Sequence, residues 1–173
     1  GKYNFGSIGN GSLSHLTMEA IAQKSGAKLV HIPYPSSPAA MTALIRGDVQ
    51  MAALPAISVT PHVATGKAKI LAVTLPKRSP FLPDIPTLKE SGIDVEADTW
   101  NGMIAPGGTP QALIEAINKD VVEAIMSKAV REKLASQYME PVGNSPSAFR
   151  QVIESEIARW APILVSASTR PVK

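Results

Sequence analysis

Residues 4–16 read NFGSIGNGSLSHL, a stretch in which three glycines and several small hydroxyl or amide side chains separate a strand-like start from a helix-like continuation. Glycine reaches positive φ and lets peptide N–H groups come close to a ligand. A helix beginning near Ser12 would aim unpaired N–H groups and the positive end of its dipole at the same place. Such a loop suits a carboxylate or a phosphate. It serves equally well as a tight strand-to-helix turn at Gly9 and Gly11 with Ser12 as the helix cap. The loop alone leaves both readings open.

Outward from the loop, short β-rich or apolar runs at Tyr3–Ser7, Leu29–Pro33, 49–54 and 70–75 alternate with helical patterns or Gly/Pro breaks. Leu13, Leu16, Ala20 and Ile21 draw an apolar stripe on a first helix expected to stop near Gly26. Met41, Leu44 and Ile45 do the same for a short helix started by Ser37 and Pro38 and ended at Gly47. Parallel strands need crossover helices, so the alternation predicts an α/β layer, partly parallel, with loops at the strand ends lining a cleft.

The pattern changes after about residue 95. A strand is expected around 99–104, then a helix begun at Thr109 and Pro110 carrying Ile114, Ile117, Val121 and Ile125 on one face. A second helix is expected over 128–137. A third, started by Ser145 and Pro146, carries Phe149, Val152, Ile153, Ile157 and Trp160. These amphipathic helices need a surface to cover.

Composition bounds the function. Apolar residues make up 45% of 173 and charged residues 18%, a globular balance. Seventeen basic and fourteen acidic residues are scattered without a block of like charge, which argues against nucleic acid as a partner. No apolar run approaches the ~18 residues of a membrane span, and no cationic then apolar leader occurs in these residues. With no cysteine there is no disulfide, thiol nucleophile or cysteine metal site. The 15 prolines fall singly, as punctuation between elements.

Catalytic motifs fit the loop worse than anion binding does. Gly9 and Gly11 begin a GxG, but the dinucleotide fingerprint then meets Ser14, and no lysine completes a phosphate-binding P-loop. A nucleophile elbow needs a different pattern. His15, His31 and His62 are too separated for a local metal motif, so neither metal nor cofactor is expected. Ser7, Ser12 or Ser14 with His15 resembles a nucleophile and base, but no acidic orienter is identifiable; His15 is read as a hydrogen-bonding residue of the first helical turn. His31 and His62 are read as structural. Trp100 and Trp160 are read as packing or anchoring residues. KRSPFLPDIPTLKESG, 77–92, is read as a connection with a short helix in which Arg78 and Asp84 are surface or turn residues.

Four separated segments, FGSIGNGSLSHL, VHIPY (30–34), LAVTLPKRSPFLPDIPTLKESG (71–92) and WNGMIAPGGTP (100–110), resemble the substrate-binding proteins of tripartite tricarboxylate transporters, the Bug receptors, over nearly the whole chain. The resemblance implies a periplasmic receptor of the type II periplasmic-binding-protein fold, in which two α/β lobes close on a small carboxylate and present it, without chemistry, to membrane transporter subunits. It implies that Ser7, Gly9, Asn10, Gly11, Ser12 and His15 form a second-lobe loop holding the carboxylate through N–H groups and hydroxyls, partly through water. Tyr34 is implied to approach the cleft, next to Pro35 and Ser36 where relatives often carry Lys-Gly. Ala52 and Ala53 stand where many relatives have Phe-Asp, which favours a ligand without an amino group. The family carries a further α/β segment before the position of Gly1. Residues 1–98 are therefore expected to be the second lobe, and 99–173 a return strand and C-terminal helices that pack with the first lobe, whose N-terminal part is lacking; with that packing surface missing, self-association through the C-terminal helices is the expectation. A ligand-sensing module of the same fold, acting in signalling, is the alternative function.

Overall fold

Strands and helices alternate through the first third of the chain as β1 (Tyr3–Ser7), α1 (Leu13–Ser25), β2 (Leu29–Pro33), α2 (Ser37–Arg46), β3 (Met51–Ala52) and α3 (Ala56–Ala64). The computed structural model describes residues 3–168. They fall into two compact units: the chain up to Thr99 together with the described residues from Ala161, and Trp100–Trp160.

In the first unit the strands form a parallel sheet in the order β2-β1-β3. Tyr3 lies opposite Leu29 and Ser7 opposite Pro33, while Phe5 lies opposite Met51 on the other side. The chain leaves central β1 toward β2 and then crosses back to β3, so right-handed crossovers put α1 and α2 on opposite faces. Phe5 and Ser7, fully buried, share the α1 face. On the other face Gly6 leaves room for Val49 and the Tyr34 ring, 3.3 and 3.4 Å from where a Cβ would stand.

The stripe expected on α1 understates its burial. Ser14, His15, Thr17 and Glu19 are buried along with Leu16, Met18, Ala20 and Ala22. The sheet covers one side, and the end of the chain approaches another, where Gln23 Nε2 donates to Ser166 Oγ at 2.8 Å. The stops at Gly26 and Gly47 are as expected, each glycine in left-handed backbone. The α2 cap is Ser36, one residue before the expected Ser37; its Oγ accepts from the Ala39 N–H at 3.3 Å.

The expected strand 49–54 shrinks to β3. Before it, the Asn4 N–H is taken by the Gln50 side-chain oxygen at 2.9 Å, and Pro55 follows. The expected strand 70–75 does not form: a single parallel bridge joins Val73 to Thr87. The facing residues, 84–89 in this register, include Pro86, which lacks the N–H group that a longer ladder needs. The short helix expected in 77–92 is one capped turn. Thr87 Oγ1 accepts from Glu90 N–H at 3.0 Å and Glu90 Oε2 accepts from Thr87 N–H at 2.7 Å, a reciprocal capping box. Gly92, at φ 85°, ends it at once. Arg78 pairs with Glu90 at 3.0 Å.

The second unit holds α4 (Gln111–Met126), α5 (Lys128–Ala135) and the start of α6 (Pro146–Ser168). Ser145 caps α6 as expected, accepting from the Ala148 N–H at 3.2 Å. Thr109 does not cap α4; its hydroxyl donates to the Pro106 carbonyl, and the helix starts after Pro110. No strand forms over 99–104 among the described residues, since the unit offers no ladder partner. Gly102 instead lies against the Phe149 ring, which Trp100 meets edge-on at 5.0 Å. Trp160 donates to Glu156 Oε2 at 2.7 Å. None of the described residues of this unit is buried.

Candidate functional site

The carboxyl ends of the three parallel strands gather the residues singled out from the sequence. Ser7 ends β1 and leads into Gly9, Asn10, Gly11 and Ser12; Tyr34 follows β2; Ala53 follows β3. Ligands of open α/β sheets bind outside the carboxyl ends, where the strand order reverses, and here the reversal lies at central β1.

Gly9 and Gly11 have φ of 120° and 72°, conformations that side-chain-bearing residues rarely adopt. The loop turns on itself at Gly9, whose carbonyl accepts from Ser12 N–H at 3.3 Å and from Ser12 Oγ at 2.7 Å. Ser12 Oγ in turn accepts from His15 N–H at 3.2 Å, the α1 cap. The Gly9 N–H donates to Ser7 Oγ, and the Gly11 N–H to His15 Nδ1 at 3.1 Å. Several of the loop's donors are therefore spent within it. The N–H groups of Asn10, Leu13 and Ser14 and the exposed Asn10 carboxamide have no hydrogen-bond partner among the described residues. These donors stand beside the positive end of a 13-residue helix.

Tyr34 and Ala53 brace this arrangement. The Tyr34 N–H donates to the Ser7 carbonyl at 3.0 Å while its ring covers Gly6. The Ala53 carbonyl accepts from Ser14 Oγ at 2.6 Å. His62, in the last turn of α3, takes no part in these bonds.

Behind the loop lies a group that the sequence reading missed. His31 Nε2 is 2.6 Å from Ser7 Oγ, and its ring stacks on His15 with centroids 3.8 Å apart and planes at 11°. Phe5 continues the stack at 4.9 Å from His31. Burial, then the neighbouring His15, pulls the His31 pKa down to about 4, so the ring is neutral at neutral pH. Glu19, buried, places Oε1 3.8 Å from His15 Nε2. The histidine that meets Ser7 is thus His31, which the sequence reading treated as structural, and not His15. Ser7 and His31 have the spacing of a nucleophile and base, but Ser7 is 0% exposed and no substrate reaches it. The register carried the signal: His31 sits opposite Phe5, so its side chain shares a face with Phe5 and Ser7.

Among the described residues no cluster of three or more His, Cys, Asp or Glu could hold a metal ion, and no helix is long and apolar enough to cross a membrane. A parallel α/β sheet with a donor-lined loop at its switch point has the build of a solute-binding protein, and known proteins agree. Residues 1–168 match the tripartite tricarboxylate transporter family receptor, and the chain belongs to that family. It is 35% identical over 155 residues to protein BugT of Bordetella pertussis, covering 89% of this chain and 48% of BugT. Among solved structures, Rpa4515 of R. palustris with adipate is similar at TM-score 0.84 and 30% identity, covering 96% of this chain and 56% of that one. MatC from Rhodopseudomonas palustris with bound malate is similar at TM-score 0.75 and 25% identity, covering 94% and 56%. The chain spans about half the length of the curated relatives it matches. Its fold is the α/β fold of periplasmic binding proteins of this type.

Proposed function

We propose that this chain is the carboxylate-gripping part of a periplasmic solute-binding receptor, which holds a small carboxylate on the β1–α1 loop and passes it unchanged to the membrane subunits of a tripartite-type transporter. One observation carries the reading. Gly9 and Gly11 fold the loop so that unspent N–H groups at Asn10, Leu13 and Ser14 stand at the start of α1, on the carboxyl edge of the sheet. Adipate and malate in two structures of relatives are ligands of the chemistry such donors suit.

The grip uses neutral donors. A carboxylate oxygen accepts from backbone N–H groups directly or through water, each bond to the charged group adding about 1.5–3 kcal/mol. Ser12 acts through its cap, which holds the first turn of α1 in place, and Ser7 through its bond to Gly9. With Ala52 and Ala53 at the end of β3, no acid is offered there to a ligand amine. The ligand leaves as it came: Ser7, whose hydroxyl meets His31, is fully buried. The uncovered helices of Trp100–Trp160 favour association with another copy.

Calorimetric titration of the chain with adipate and with malate tests the reading. Weak binding of either, reduced three- to ten-fold by Asn10→Ala, is expected from one open loop. No heat with either ligand, or an unchanged affinity in Asn10→Ala and Gly11→Val alike, would remove the loop from the site. Loss of signalling without loss of uptake, on deletion in cells, would favour the sensing module instead.

A further inference from the structure

We propose that His15 is the positioning residue of the ligand loop, its unprotonated Nδ1 holding the Gly11 peptide in place, and that protonation of His15 releases the loop and with it the carboxylate. This rests on the proposed function above for the ligand, and on the loop's own geometry for the release.

The Gly11 N–H donates to His15 Nδ1 at 3.1 Å, so that nitrogen carries no proton and the ring's hydrogen sits on Nε2, toward Glu19 Oε1 at 3.8 Å. A proton added to His15 can go only to Nδ1. It would set two donors against each other, N–H of the ring against N–H of Gly11, and Gly11 would have to turn away. Gly11 stands in left-handed backbone at φ 72°, and His15 Nδ1 is the acceptor that takes its N–H. The neighbouring Asn10 N–H and carboxamide would move with it.

His31, stacked on His15, resists a second proton. The rings lie face to face at 3.8 Å, a spacing at which two imidazolium charges repel strongly. His31 also reaches the loop, through Ser7 Oγ and from there the Gly9 N–H and carbonyl. Ser7 Oγ spends its one hydrogen on the Gly9 carbonyl and so accepts from His31 Nε2–H, which leaves His15 Nδ1 as the ring nitrogen whose protonation disturbs the loop. The surrounding charges are few. Glu19 faces the pair from α1 itself, and it stabilises charge on His15 when a proton arrives. Against the pair β1 sets Phe5 and Ser7, its only titratable side chain being the exposed Tyr3; β3 has none, and β2 has none beyond His31. Arg46 in the last turn of α2 is exposed, and 161–168 carries no charge.

The test begins with the wild-type chain, which needs no variant to fold. Nitrogen-15 spectra at about pH 7.5 should show the Nε2–H tautomer at His15, and the Gly11 amide resonance should move in step with the His15 titration. The Nδ1–H tautomer, or a Gly11 amide indifferent to that titration, overturns the proposal. A second arm follows adipate affinity with pH in wild type and in His15→Asn, whose side-chain oxygen can accept from Gly11 but does not titrate. Wild-type affinity should fall at least ten-fold more than that of the variant across the His15 titration followed in the first arm, adipate's own protonation being common to both. Equal falls in the two proteins overturn the release of ligand by protonation. If Gly11 follows His15 while adipate fails to bind at any pH, the proposed function fails and the positioning role of His15 stands.

Discussion

Ser14 Oγ donates a 2.6 Å hydrogen bond to the Ala53 carbonyl, latching the first turn of α1 to the end of β3 across the point where the strand order reverses. Ser14 is buried, so its loss leaves a carbonyl short of its donor in a place water reaches poorly. Ser14→Ala should destabilise the chain by about 1–3 kcal/mol, and Ser14→Cys by nearly as much, since a thiol donates weakly. Urea unfolding monitored by circular dichroism measures it. A cost within error of zero would mean that the latch adds nothing to the fold.

The loop separates two kinds of damage. Ser12→Ala removes the acceptor for the His15 N–H and should cost about 0.5–2 kcal/mol of stability, the range for a lost helix cap. Gly9→Ala places a Cβ on backbone at φ 120°, where nothing crowds it but the conformation itself is unfavourable by about 1–3 kcal/mol. Both variants should lose carboxylate binding; the alanine at 9 should lose more for equal stability, because it moves the donors rather than a support. Comparing affinity with unfolding free energy across the pair checks this ordering.

Much of the fold near this loop is legible in the sequence because local chemistry sets it. Tyr3–Ser7 and Leu29–Pro33 stand out as short apolar runs with abrupt ends, and Gly26 and Gly47 stop their helices by a backbone conformation that glycine favours. The runs at 70–75 and 99–104 look similar but lack partners able to build a ladder, and strand identity depends on the partner as much as on the run. The Gly9 and Gly11 conformations follow from the residues; the His15–His31 stack does not. Sixteen positions separate the two histidines in the chain, and only the pairing of Phe5 with His31 brings the second beneath the first. Glu19 escaped notice for a related reason, since a helix covered on more than one side buries polar positions that a single apolar stripe would leave in water.

The low pKa of His31 makes stability depend on pH in a defined window. The unfolded ring takes a proton near its ordinary value of 6.5 and the folded ring only near about 4. Between those values the unfolded state binds more protons, so stability falls as pH drops from 6.5 to about 4 and the loss ends once the folded protein is protonated too. The expected contribution is about 1–2 kcal/mol, already reduced for the solvent that reaches this half-buried ring. His31→Gln, which keeps an amide near Ser7 and does not titrate, should flatten that part of the profile. Denaturant unfolding at a series of pH values across the window decides, and parallel curves for the two proteins would remove His31 from the account.

The segment Trp100–Trp160 carries apolar side chains, in its loops and on its helices, that nothing in the unit buries. Ile104 is 88% exposed, Val142 73% and Ile157 64%, and Leu113 and Ile117 lie open on α4. Covering such surface returns about 25 cal/mol per Å² of apolar area, so a few hundred Å² shared between two copies offsets part of the entropy lost on association. A chain presenting these faces should populate dimers or larger species that dissociate on dilution, and Ile117→Lys with Ile157→Lys should shift it toward the monomer without loss of helix content. Light scattering over a dilution series, paired with circular dichroism of the double variant, tests both halves. A monomer at every concentration would show that these apolar faces are stable in water as they stand, and that exposure on α4 and α6 does not drive self-association.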